Sequence, residues 1–209
     1  MLLAACAYPA WQEYDYQQAI SEARAAGFTW VCDDPISSIR RDWHNALSRE
    51  TWSTHQRDLE CREIPNLARY RRLFQRLRPT DLWFDGFHDE NLDAFKDITS
   101  LRRIVLINCT ALKNLDDIKG LTSLRNFQLL SCHGLQNVDA LDALTNLQLL
   151  SLYDNPVLQK VDVLKRLTGL QMLDLEGCIK IPAASLRELR AALPNTEIIF
   201  PDGTKSPPQ

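Results

Sequence analysis

Apolar residues return along this chain with a fixed pitch. Four segments align without a gap: Ile98-Thr-Ser-Leu101-Arg-Arg-Ile104-Val-Leu106-Ile-Asn-Cys109, then the stretches running Leu121 to Cys132, Leu144 to Asn155 and Leu167 to Cys178. Each begins 23 residues after the one before. Inside each copy a short core repeats its apolar residue at every second position (Ile104 and Leu106, Phe127 and Leu129, Leu150 and Leu152, Leu173 and Leu175), which is the period of a strand and not of a helix. Three more apolar positions follow in the first three copies: Leu112, Leu115, Ile118; Leu135, Val138, Leu141; Leu158, Val161, Leu164. A degenerate earlier copy runs from Leu82 through Phe84 and Phe87 to Leu92 and Phe95. One winding of this kind cannot bury its own apolar residues. Stacked windings bury them against one another, with the alternating cores side by side as a parallel sheet.

The spacing L-x-x-L-x-L-x-x-N/C-x-x-L over residues 80–180 resembles the leucine-rich repeat family. That resemblance implies an α/β solenoid of about five coils, a short parallel sheet on its concave side, and a surface used to bind proteins. Cys109, Cys132, Asn155 and Cys178 share one column at the strand exit, where a small or amide side chain satisfies turn backbone groups. These thiols are therefore expected to be structural. A second column, Asp116, Asp139 and Asp162, precedes the convex segments and is expected to cap a short helical turn.

Four sections follow from this pattern: residues 1–79 as a mainly helical N-terminal cap, 80–181 as the repeats, 182–200 as a C-terminal cap helix and strand, and 201–209 as a disordered Pro/Gly/Ser-rich tail. In the first section helices are expected over 12–26, 35–47 and 66–77, with a short strand over 28–32. Arg69, Arg71, Arg72, Arg76 and Arg78 cluster on the third helix. They read either as a solvated face paired with nearby acids or as a contact for an acidic partner.

Alternation also fixes which strand residues face out. The concave triplets are Asp81, Trp83, Asp85; Arg103, Val105, Ile107; Asn126, Gln128, Leu130; Leu149, Ser151, Tyr153; and Met172, Asp174, Glu176. Trp83, Val105, Ile107, Leu130, Leu149, Tyr153 and Met172 form an apolar patch of the kind that marks an interaction site, with Asp81, Asp85, Asp174 and Glu176 as an acidic rim. Cover by the N-terminal section or by self-association is the competing account of the same patch.

Composition adds constraints. The 209 residues are 45% hydrophobic and 24% charged, with net charge −3, so no overall field draws the chain to nucleic acid or membrane. No apolar run approaches the roughly 20 residues of a membrane span. Hydrolase, phosphate-loop and dinucleotide-binding motifs are lacking, so no cofactor and no metal is expected. The expectation is a non-enzymatic binding module. Two other readings stay open: an effector or cytoplasmic adaptor using the same face, and an enzyme whose site in residues 1–79 pairs Cys32 or Cys61 with His44 or His55.

Leu3-Ala4-Ala5-Cys6 resembles the bacterial lipobox, with Cys6 as the lipidated residue, and it departs from that family in having only Met1 and Leu2 before the motif. The resemblance implies a periplasmic, lipid-anchored protein, for which neutralising a delivered toxin is a fitting task by analogy with small single-partner periplasmic binders. A chance apolar N-terminus packed on the cap is the alternative. In an oxidising compartment Cys32 and Cys61 are candidates for one disulfide, worth roughly 3–4 kcal/mol from loop entropy; in the cytoplasm they stay thiols.

Overall fold

The computed structural model describes residues 18–19, 21–27, 29–30, 58–62, 67–86 and 88–208. Nine strands form one sheet in sequence order. They are β1 (Thr29–Trp30), β2 (Asp58–Arg62), β3 (Asp81–Asp85), β4 (Arg103–Ile107), β5 (Asn126–Leu130), β6 (Leu149–Ser151), β7 (Met172–Asp174), β8 (Glu197–Ile199) and β9 (Lys205–Ser206). Strands β2 to β8 pair in parallel, and the two edge strands β1 and β9 pair antiparallel to their neighbours.

Register follows the repeat. Leu82, Ile104 and Phe127 stand opposite one another across β3–β5, and Phe127, Leu150 and Leu173 continue the same line through β7. Ile104, Leu106, Phe127, Leu129, Leu150 and Leu173 are all 0% exposed, although no coil is thick enough to cover them alone. Full burial of a Leu or Phe side chain is worth about 1.5–3 kcal/mol, and here it is completed only by the coil above and the coil below.

On the convex side each coil makes a short 3₁₀ turn: Asp93–Phe95, Asp116–Ile118, Asp139–Ala143 and Asp162–Arg166. Asp116, Asp139 and Asp162 are the first residues of these turns and do not cap them. Capping is done two residues earlier, where Asn91, Asn114 and Asn137 accept hydrogen bonds from the backbone N–H of Asp93, Asp116 and Asp139 at 3.2–3.3 Å. The Asp column instead makes surface ion pairs, Asp116 with Lys119 at 2.7 Å and Asp162 with Lys165 at 2.8 Å.

The ends are closed differently from each other. At the N-terminal side, residues 18–19 and 21–25 are helical, and a 3₁₀ turn (Leu67–Tyr70) leads into helix α1 (Arg71–Leu77). Phe74 of α1 packs with Phe84 and Phe95, ring centroids 6.3 and 6.0 Å away, and seals the first full coil. Helices alone do not make this cap: β1 falls within the short strand expected over 28–32, and β2, which was not expected, joins the sheet beside it. Arg71 pairs with Asp93 and Asp97, and Arg76 with Glu22, so these two members of the basic cluster are neutralised locally; Arg69, Arg72 and Arg78 are exposed. At the other end, helix α2 (Ala183–Ala192) buries Leu189 against the last coil. The expected disordered tail is instead ordered. Ile198 and Ile199 pair with Ser206 and Lys205 in a hairpin that covers the edge of β8.

Asn155 shows how the strand-exit column works. It is 0% exposed, donates from Nδ2 to the carbonyls of Leu129, Leu152 and Tyr153 at 2.8–3.1 Å, and accepts from the Cys132 N–H at 3.1 Å. In the next coil the Cys178 thiol donates to the Leu152 carbonyl at 2.9 Å. Burial pushes that thiol up to about 12. Asn155→Ala, which leaves buried backbone groups unpaired, is expected to cost about 3 kcal/mol in urea unfolding. Asn155→Cys, matching the column's other members, should cost measurably less; equal losses from the two variants would refute this account.

Candidate functional site

The outward residues of the sheet form three rows running along the solenoid. The first holds Asp81, Arg103, Asn126, Leu149, Met172 and Glu197. Trp83, Val105, Gln128, Ser151, Asp174 and Ile199 make up the second. In the third, Asp85, Ile107 and Leu130 are in register, and Tyr153 and Glu176 follow at the repeat spacing.

Much of the expected apolar patch is not open. Val105 is 2% exposed, Met172 7% and Leu149 9%, and the expected rim residues Asp81 and Asp174 are buried as well. Strands about 4.8 Å apart make their side chains shade one another, so a short side chain such as Val105 between Trp83 and Gln128 is covered by its row neighbours. Asp81 meets Arg103 at 3.3 Å across the first row. What stays accessible lies in the third row. Tyr153 is 38% exposed, Ile107 and Leu130 are half-buried, and so are Trp83 and Gln128 beside them. Asp85 and Glu176 flank this stripe, both half-buried.

A column of left-handed residues, Gly86, Asn108, Ser131, Asp154 and Gly177, turns the chain out of the sheet just past the third row. At Gly177 the conformation is also a spatial need, because a Cβ there would come 2.9 Å from the Asp154 Cα. The polar members fix the carboxylates at this edge. Asn108 Nδ2 donates to Asp85 Oδ1 at 2.8 Å, and Ser131 Oγ donates to Asp154 Oδ2 at 3.0 Å, with His133 Nε2 3.4 Å from the same oxygen. This places a serine, an aspartate and a histidine together. The aspartate sits between the other two, so no imidazole faces the hydroxyl and the trio lacks the order of a nucleophile–base–orienter relay. Farther along the edge, the Thr204 hydroxyl at 2.6 Å and its N–H at 2.9 Å hold Asp202 below the ordinary carboxylate range.

Asp174 behaves differently. It is 0% exposed, accepts from the Ser151 hydroxyl and the Glu176 N–H at 3.0 Å each, and burial still drives its carboxyl above the usual 3.8. Such a group is part of the floor and not of the rim.

A cleft of about 540 Å³ opens at the C-terminal end, lined by Ile179, Ile181, Leu186, Phe200 and Arg187 among others. Among the described residues no three or more His, Cys, Asp or Glu are grouped to hold a metal ion, and no helix is long and apolar enough to cross a membrane. Cys6, Cys32, His44 and His55 lie outside the described residues; Cys61 stands on β2 in register with Phe84 of β3.

Stacked 23-residue coils, a parallel sheet on one side and 3₁₀ turns on the other define a leucine-rich-repeat solenoid of α/β class. No protein-family model matches the chain, and no curated protein does. Among solved structures, internalin C2 from Listeria monocytogenes is similar at 25% identity over 60% of this chain and 63% of that one, with a TM-score of 0.47. A second Listeria monocytogenes internalin, InlF, gives 12% identity over 69% and 46% with a TM-score of 0.37. The leucine-rich repeat domain of the type III effector XopL gives 17% identity over 93% and 94% with a TM-score of 0.31. The chain spans less than two thirds of either internalin chain. With every TM-score below 0.5, the class rests on this chain's own coil geometry.

The state of Asp174 has a thermodynamic consequence. The folded protein holds its proton to higher pH than the unfolded chain does, so this residue stabilises the fold below the ordinary carboxylate value and loses that contribution as pH rises through the elevated one. Urea midpoints taken between about pH 4 and pH 7 should show wild type falling relative to Asp174→Asn as pH climbs. A constant difference between the two proteins would contradict the assignment.

Proposed function

We propose that this protein is a non-enzymatic binding module that grips a protein partner through the third row of its concave face. One observation carries the reading. The stripe Ile107, Leu130 and Tyr153 leaves apolar and aromatic surface accessible on a rigid sheet, with Asp85 and Glu176 at its ends. Interface cores favour aromatic anchors ringed by polar groups, and Tyr153, in the turn just past β6, has its carbonyl held by the Ser131 N–H of the neighbouring coil at 3.0 Å. Trp83 and Gln128 extend the contact into the second row. Val105, Leu149, Met172 and Asp174 support it from beneath and do not touch the partner.

Leu3-Ala4-Ala5-Cys6 supports placing the protein in the periplasm on a lipid anchor at Cys6, where a toxin delivered by a neighbour is the kind of partner a small dedicated binder would neutralise. That placement has its own test: mass spectrometry of the protein from its native host should find diacylglycerol on Cys6, and an unmodified Cys6 thiol in the mature protein would refute it.

For the binding face, a photo-crosslinking amino acid installed at Tyr153 in the native host should yield one discrete covalent adduct with another protein. The same probe at Ala143, exposed on the convex side, should yield none. Adducts at Ala143 with none at Tyr153 would move the site off the concave face.

A further inference from the structure

Charge is not spread evenly across the concave face. Turn residues just before the strands stack through backbone hydrogen bonds, Arg102 N–H to Thr80, Arg125 to Arg102, Gln148 to Arg125 and Gln171 to Gln148. This ladder sets Arg102 and Arg125, both exposed, side by side at the strand-start edge, with half-buried Arg103 next to them. Asp81, the acid in that stretch, is buried and already meets Arg103. The strand-end edge has the opposite sign. From β4 to β7 its third row and exit turn carry Asp154 and Glu176 and hold no Lys or Arg, whereas Asp85 of β3 stands in register with Arg62 of β2. Five to six steps of strand, roughly 17–20 Å, separate the two edges. Tyr153, Leu130 and Ile107 lie just inside the acidic one.

Resting on the binding reading above, we infer that the partner is a protein segment of mixed charge. It places an apolar side chain on the stripe of Ile107, Leu130 and Tyr153, a Lys or Arg beside Asp154 and Glu176, and an Asp or Glu toward Arg102 and Arg125. Each edge repels the wrong sign, so a segment of either single charge meets a like charge on one side. The polarity therefore fixes the direction in which the segment lies across the strands. Net charge of −3 conceals this, because the two edges nearly cancel.

A phage-displayed random peptide library panned on the purified full chain tests the inference. Enriched peptides should carry Asp or Glu on one side of an apolar residue and Lys or Arg on the other. A synthetic peptide of the consensus should bind about tenfold more weakly to Glu176→Lys and to Arg125→Glu, and more weakly in high salt. Its charge-swapped version should recover binding on the doubly reversed Glu176→Lys, Arg125→Glu protein. The milder Glu176→Gln and Arg125→Gln, checked by thermal melts, guard against a folding artefact. Peptides lost on Tyr153→Asp but indifferent to both reversals would overturn the mixed-charge inference and leave the apolar stripe standing. Peptides indifferent to Tyr153→Asp as well would overturn the concave-face reading itself.

Discussion

Burial by neighbours is the constraint from which this structure follows. A coil of 23 residues encloses too little volume to hide Leu150 or Phe127, yet both are fully buried. Each inward side chain is covered partly by its own winding and partly by the windings on either side, so the core is a continuous column and not a set of separate clusters. The ends of such a column must be shut by something that is not another repeat. Here the N-terminal end is shut by Phe74, Phe84 and Phe95, and the C-terminal end by α2 with the β8–β9 hairpin.

Stacking also forces polar groups into periodic solutions. Backbone polar groups that leave the sheet at each coil need a partner inside the column, and Asn155 meets four of them at once, one N–H and three carbonyls. On the convex side the charges are used locally and across coils. Lys113 reaches Glu90 at 2.6 Å, and Arg166 reaches Asp142 at 2.9 Å. Exposed pairs of this sort add little stability individually, but they leave that face electrically quiet. On the concave side the ion pairs among the described residues include Arg103 with Asp81 and His133 with Asp154.

Residues that build the column were plain in the chain itself. Pitch, inward pairs and the class of fold came from the spacing of Leu, Ile and Phe, because period 2 within a copy and period 23 between copies leave few ways to bury those side chains. Signals at the ends were weaker. Strand β2 has no repeat consensus, and Lys205–Ser206 sits in a Pro- and Gly-containing stretch whose composition reads as disordered. Pairing with an already formed neighbouring strand overrides composition at both places. The capping asparagines Asn91, Asn114 and Asn137 also recur with the repeat spacing, and a search for that recurrence would have found them.

Alternation along the strands assigned fifteen positions to the concave rows, and the strand register sets thirteen of them in line, all but Tyr153 and Glu176. Accessibility was decided only in three dimensions. Whether Val105, Leu149, Met172 and Asp174 are open depends on the length and tilt of side chains on the adjacent strands, about 23 residues away in sequence. Pattern is a local property set by the backbone, whereas exposure is a property of the packed neighbourhood, and only the stacked coils supply that neighbourhood.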